Sequence, residues 1–178
     1  VLAAVAAGYQ AAIMTPTEIL TGQHYRSVEQ YLENSRVRWQ LLTGSLTPAE
    51  RKAALAKIRA GEVDIVLGTQ ALIQQDVEFR RLGFIVVDEQ HKFGVLQRAE
   101  SRWRNADSDQ PLRPHYLVMT ATPIPRTLAM TVFGDLDISV IDELPPGRQP
   151  VATRWVRPQD VEKMYAEVRR RVAEGRQA

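Results

Sequence analysis

The chain has no cysteine, which removes thiolate zinc sites, thiol nucleophiles and any disulfide framework, and suits a reducing cytosol. Histidine is scarce. His24, His91 and His115 are widely spaced and form no HxxxH pair, so a histidine-built metal site is not expected. Neither sign of charge dominates: 23 Lys and Arg against 21 Asp and Glu leave a formal net charge of +2. That excludes a histone-like basic protein, although a phosphate-binding groove needs only a local cluster. No apolar run approaches the roughly 20 residues of a membrane-spanning helix, so no membrane partner is expected. The opening VLAAVAAGYQ lacks the positive start of a signal peptide. It reads instead as the last turns of a helix stopped by Gly8 in the left-handed position. A helix that begins without a cap is expected of a segment cut from something larger. What is present, 44% hydrophobic and 25% charged residues over 178 positions, is globular composition, long enough to bury roughly 70% of its unfolded surface.

The apolar runs are short and mostly not alternating: Ala11 to Met14, Trp39 to Leu42, Asp64 to Gly68, Phe84 to Val87 and His115 to Met119. Continuous hydrophobicity predicts strands covered on both faces, as in a parallel sheet flanked by helices. Thr15-Pro16-Thr17-Glu18 reads as a capping box with proline at the first helical position, and Thr47-Pro48-Ala49-Glu50 repeats it before a helix that stops at Gly61. Strand alternating with helix at this pitch gives a doubly wound α/β fold. Ala106 to Pro114 is expected to be a polar surface loop. Asp142 to Pro150 (DELPPGRQP) is expected to be a hinge. The domain reading is therefore 1–141, a linker 142–150, and 151–178 as the start of a second domain, with a strand in VATRWV and a helix ending at Gly175.

Ligands of open α/β sheets bind beyond the carboxyl ends of the strands. FIVV ends in Asp88-Glu89-Gln90-His91, whose adjacent carboxylates suit divided labour, one reaching Mg²⁺ and the other polarising a water for attack on phosphorus. Alone, the tetrapeptide reads as a charged, solvated strand end. It is accompanied by Thr120-Ala121-Thr122 after the next strand, by Pro16-Thr17-Glu18, by Thr43-Gly44-Ser45, and by Gly68-Thr69. Each sets hydroxyls and backbone N–H groups at a strand-to-helix junction, an arrangement suited to the phosphates of a nucleic-acid strand laid across the sheet edge.

That combination resembles the first motor domain of superfamily 2 helicases of the DExH type. FIVVDEQHKFGVLQR, with MTATPIPRTLAMTVFGDLDISVIDELPPGR, is similar to the RecG branch-migration helicases almost end to end. The resemblance implies a RecA-like P-loop NTPase fold, incomplete at both ends, and a bacterial cytoplasmic protein. It implies ATP and Mg²⁺ as cofactors and DNA (branched, duplex or single-stranded) as partner. By position, Asp88 would hold Mg²⁺ through water and Glu89 would orient the attacking water. Gln90, His91, Thr120, Ala121 and Thr122 would couple nucleotide state to DNA grip. Pro16, Thr17, Glu18, Thr43, Gly44, Ser45, Gly68 and Thr69 would line the DNA track.

The sequence departs from the family twice. Lys92 stands where arginine is usual, and no GxxxxGK(S/T) phosphate cradle occurs in the chain. The family places that loop upstream, the arginine fingers in a second motor domain downstream, and the junction-splitting wedge in an N-terminal region. Two other readings stand beside this one: the translocase of transcription-repair coupling factors, which share TATPIPRTL, and a DNA-binding pseudo-motor without ATPase activity. His24 is expected to be a packed or half-exposed helix residue, Met14 and Met119 core, Trp103 a packing residue, and Arg169 to Arg171 a solvated helix face.

Overall fold

The computed structural model describes residues 1–89, 103, 105, 113–121, 137–143, 147, 151, 153 and 155–177. It divides into two compact units, Val1–Leu136 and Asp137–Ala178.

The first unit is a parallel sheet wound with helices. In chain order it contains α1 (Leu2–Ala6), β1 (Gln10–Met14), α2 (Glu18–Leu32), β2 (Trp39–Leu42), α3 (Pro48–Ala60), β3 (Ile65–Gly68), a 3₁₀ turn (Gln70–Ile73), β4 (Leu82–Val87) and β5 (His115–Val118). The strand order is β2-β3-β1-β4-β5. All four neighbouring pairs are parallel, with Met14 level with Gly68 and with Val87, Leu42 with Gly68, and Val87 with Val118. All five expected strands are present, β2 with the expected bounds and the others with one end shifted by one or two residues.

Alternate residues of each strand enter different cores. Ala12, Met14, Val66, Ile85 and Val87 meet Ala54 and Ile58 of α3. Ile13, Ile65, Leu67 and Val86 face the other way, onto Tyr25, Val28 and Leu32 of α2 and Val5 of α1. Strands β1 and β3 are buried throughout, whereas β2 and β5, at the margins of the described sheet, are only partly covered. Each fully buried Ile or Leu here contributes about 1.5–3 kcal/mol relative to exposure. Gln10 is the polar exception. Its Nε2 donates to Ile58 O (2.9 Å) and Val63 O (2.8 Å), while Oε1 accepts from the N–H groups of Arg80 (2.8 Å) and Arg81 (3.1 Å).

Local signals behave as physics requires at most boundaries. Thr47 and Glu50 form both halves of a capping box, and α3 stops at Gly61 with φ 73°. After α1, Gly8 takes φ 81°. Thr15 is a correction. Its N–H still donates to Gly68 O (3.0 Å), so the chain is held in the sheet one residue past β1. The helix cannot start there, and the cap is Thr17, whose hydroxyl accepts from Leu20 N–H at 3.3 Å. Pro16 consequently precedes the cap rather than opening the helix.

In the second unit, a 3₁₀ turn (Pro158–Asp160) leads into α4 (Val161–Ala173), and Gly175 follows with φ 79°. The strand expected in VATRWV is not found among its described residues. Val151 and Trp155 are exposed, and a strand is defined by a ladder partner, which none of the described residues here has. Glu167 accepts from both Arg170 and Arg171, and Arg170 also reaches Glu174, so two of the three arginines are spent on ion pairs within the helix.

Candidate functional site

Parallel strands bring all five carboxyl ends to one edge, and the strand order fixes the sequence of loops along it. From one end it reads Thr43-Gly44-Ser45, Gly68-Thr69, Thr15 to Glu18, Asp88-Glu89, then Thr120-Ala121. Hydroxyl-bearing loops occupy one half and the carboxylate pair lies beyond them. Gln90, His91 and Thr122 lie outside the described residues.

The hydroxyl half is internally tied. Glu18 Oε1 accepts from Ser45 N–H at 3.1 Å, joining the loops after β1 and β2 across the intervening strand. Thr43 is buried, and its hydroxyl pairs with Ser45 Oγ at 2.9 Å, shaping the turn. Gly68 is also enclosed: a Cβ there would lie 2.1 Å from Leu42 O and 2.9 Å from Leu72 Cγ. Thr43 and Gly68 therefore build the edge from inside, while Pro16, Thr17, Glu18, Gly44 and Ser45 are exposed and Thr69 is partly so. The Thr69 hydroxyl caps nothing in the 3₁₀ turn it precedes.

Under the loop after β1, buried Thr15 and Thr21 share a hydrogen bond of 2.6 Å between hydroxyls, and the Thr21 hydroxyl is also 2.9 Å from Thr17 O. These bonds fix the start of α2 to the end of β1.

Asp88 follows β4 and donates its N–H to Met14 O at 2.9 Å. Its Oδ1 accepts from Glu89 N–H (2.9 Å) and its Oδ2 from His24 Nε2 (2.6 Å). Its side chain is 19% exposed. Glu89 adopts φ 52°, the left-handed region uncommon for residues other than glycine. Such outliers persist where surrounding structure enforces them and cluster at functional sites. On the far side, Met119 N–H donates to Val87 O at 2.8 Å, bringing Thr120 and Ala121 beside the carboxylates.

Among the described residues no group of three or more His, Asp or Glu side chains could enclose a metal. That fits Mg²⁺ rather than opposing it, because this ion is usually held by one or two carboxylates plus waters and substrate phosphates. Each Asp88 oxygen spends one acceptor site and keeps lone-pair capacity for a metal-bound water.

His24 is the contact that sequence reasoning missed. It is half-exposed on α2, as expected, but it bonds to Asp88. The available signal was helical: Thr17, Thr21 and His24 follow i, i+4, i+7 spacing, so His24 shares the face that Thr21 buries against β1. Trp103 packs on Phe79, ring centroids 5.9 Å apart, and Met14 and Met119 join the two cores.

Comparison with known proteins shows the family and the fold. The family model of the DEAD/DEAH box helicases matches residues 1–131. The ATP-dependent DNA helicase RecG of Aquifex aeolicus is 48% identical over 174 residues, covering 98% of this chain and 22% of that protein. The Bacillus subtilis RecG is 48% identical over 176 residues, covering 99% of this chain and 25% of that protein. A solved structure of RecG bound to a three-way DNA junction is similar with a TM-score of 0.73 and 42% identity, covering 94% of this chain and 22% of that one. The second domain of a DEAD-box helicase bound to an RNA duplex shares the fold alone, with a TM-score of 0.53 at 15% identity over 64% of this chain and 43% of that one. The chain spans about a fifth to a quarter of the relatives' length. Among the described residues no helix is long and apolar enough to cross a membrane.

Proposed function

This chain belongs to the DEAD/DEAH box helicases, and from that premise we propose that it is most of the first motor domain of an ATP-dependent DNA helicase that remodels branched DNA. The observation that carries the reading is the order of loops along the sheet edge, with hydroxyls on one side and a carboxylate pair beyond. The end-to-end likeness to RecG supports the branched substrate, and the relatives named above are RecG helicases rather than coupling-factor translocases.

In this reading residues 1–141 are motor domain 1, 142–150 a linker, and 151–178 the beginning of motor domain 2. Asp88 would hold the Mg²⁺ of Mg-ATP through water, and the ion would supply neutralisation of charge on the phosphates. Glu89, turned by its left-handed backbone, receives the proton of the attacking water. Pro16, Thr17, Glu18, Gly44, Ser45 and Thr69 line the DNA track, where the hydroxyls of Thr17, Ser45 and Thr69 can donate to phosphates, while Thr43 and Gly68 hold that track in shape from beneath. Gln90, His91 and Thr120 to Thr122 carry the nucleotide state towards the DNA grip. Phosphate contacts of this kind position a strand without reading its sequence, as a junction-remodelling motor requires. The phosphate cradle, the second motor domain and the wedge belong to other parts of the same protein.

The test is Glu89→Gln in the full-length protein, which keeps size and hydrogen bonding but removes the basic carboxylate. Mg-ATP and junction DNA remain bound, whereas hydrolysis falls by at least the 10²–10⁴-fold typical of losing a general base. Near-normal hydrolysis would place the base elsewhere. DNA binding by a wild-type protein that never hydrolyses ATP would favour the pseudo-motor.

A further inference from the structure

The helix that begins at the proposed DNA track also carries the side chain bonded to the proposed magnesium carboxylate. α2 starts just after Pro16 and Thr17. Seven residues beyond its cap, about two turns and ~10 Å along the axis, His24 Nε2 lies 2.6 Å from Asp88 Oδ2. Between them Thr21 locks the helix to Thr15 at the end of β1. An ionised carboxylate only accepts, so the hydrogen belongs to Nε2 and the imidazole donates.

We propose that His24 is a positioning residue through which DNA held at the start of α2 sets the orientation of Asp88. The proposal rests on the reading above, in which Asp88 serves Mg-ATP and Pro16 to Glu18 meet DNA. Glu89 N–H holds one Asp88 oxygen and His24 the other; with only the first in place, the carboxylate is free to turn about its last torsion. The peptide N–H is part of the β4 turn and moves with the site. The imidazole rides on a different element, one whose first turn is offered to DNA. A small rocking of α2 about the Thr15–Thr21 contact therefore changes the His24–Asp88 distance while leaving the Glu89 bond intact. The pair is partly open to solvent, 34% and 19% exposed, and such pairs add little to folding stability. Orientation, not stability, is the effect to measure.

The experiment uses the full-length enzyme with His24→Leu, which deletes the donor, and His24→Gln, whose Nε2 can still donate. The first readout is the Mg²⁺ concentration needed for half-maximal binding of a fluorescent ATP analogue. The second is DNA-stimulated hydrolysis resolved into kcat and KM for ATP. Nucleotide-free DNA affinity and the melting temperature are controls. Loss of a group that orients a metal-binding side chain typically costs 10–100-fold in metal affinity or activity. Because Asp88 acts through water, the lower end is expected. His24→Leu raises the Mg²⁺ midpoint and lowers the DNA stimulation of kcat, each about 10-fold. KM for ATP at saturating Mg²⁺ and nucleotide-free DNA affinity stay within about twofold, the melting temperature is unchanged, and His24→Gln restores most of both losses. An unchanged Mg²⁺ midpoint with normal DNA stimulation in His24→Leu overturns the proposal. So does a Gln variant as impaired as the Leu variant, which would mean that packing rather than donation matters. Asp88→Asn separates this failure from a deeper one. If it leaves Mg²⁺-dependent analogue binding intact, the assignment of Asp88 itself is wrong; if it abolishes binding while His24→Leu does nothing, only the role of His24 is lost.

Discussion

Gly68→Ala tests whether a glycine at the centre of the proposed DNA edge acts on DNA or on the sheet. A Cβ at Gly68 would stand 2.1 Å from the carbonyl oxygen of Leu42 and 2.9 Å from Leu72 Cγ. Leu72 can shift its side chain by a few tenths of an ångström. Leu42 O cannot, because it belongs to β2, whose last residue is level with Gly68 in the ladder. The shortfall is over 1 Å against the ~3.5 Å at which carbon contacts become favourable. Relief requires β2 and β3 to part at that pair. Overpacking of this kind costs about 1–3 kcal/mol, and one ladder hydrogen bond adds about 1 kcal/mol, together roughly 2–4 kcal/mol. At about 1.4 kcal/mol per factor of ten, local opening should become roughly 30- to 700-fold more frequent. Hydrogen exchange measured on the peptides covering β2 and β3 in the full-length protein reads this directly. Protection should collapse there and persist in β1 and β4. Weakened DNA binding would follow as a consequence, since Thr43 and Thr69 flank the disturbed pair. Native protection in β2 and β3 combined with lost DNA binding would refute the steric argument and return Gly68 to the ligand.

Thr69→Ala is the complementary change: its hydroxyl caps nothing, so β2–β3 protection should stay native while junction affinity, followed by anisotropy, falls about fivefold, the worth of one hydrogen bond of ~1 kcal/mol. Arg38 donates from its backbone N–H, Nε and Nη2 to Asp64, and these bonds hold the Asp64 carboxyl below its ordinary pKa. A depressed carboxyl stabilises the fold above its unfolded value of about 3.9, and that contribution is lost as pH falls through the lower folded value. Acid unfolding of Asp64→Asn should therefore show a flatter limb below about pH 4 and, at neutral pH, a loss of about 1 kcal/mol, modest because Arg38 is half-exposed. Asp76 beside Arg51 keeps part of the acid sensitivity with the same sign. Gln10→Leu removes four hydrogen bonds, of which Ile58 O alone keeps a partner in the Gly61 N–H; since a buried unsatisfied polar group costs about 1–3 kcal/mol, denaturant unfolding should register a loss of about 2–3 kcal/mol.

Local chemistry declared the strands and most helix ends in advance, because continuous apolar runs, the Thr47–Glu50 box and the glycines at 8 and 61 act over a few residues. Thr15 shows where local chemistry misleads. It has the correct spacing to Glu18 for a capping box, and nothing nearby reveals that its N–H is already committed to Gly68, fifty-three positions away. VATRWV has strand-like residues, but a strand is made by its neighbour, which a string of side chains does not disclose. The Gln10 cluster and the His24–Asp88 pair were hidden for the same reason, with partners 48 to 71 positions apart.

The decisive non-local fact is the strand order. Motifs tell which residues stand at the carboxyl edge, but only β2-β3-β1-β4-β5 tells that the loop after β1 stands between those after β2 and β3 and the carboxylates after β4. Because β1 is central, its loop meets the turn after β2 through Glu18 and Ser45. The helix that follows it packs across β3 and β4, through Leu67 and Val86. α2 thus touches both halves of the site, and a bond from it to Asp88 needs only a donor two turns along its sheet-facing side. His24 occupies that position. Any side chain there without a donor would leave the DNA edge and the carboxylate connected by β1 alone, whose buried ladder on both sides is the least movable part of the sheet.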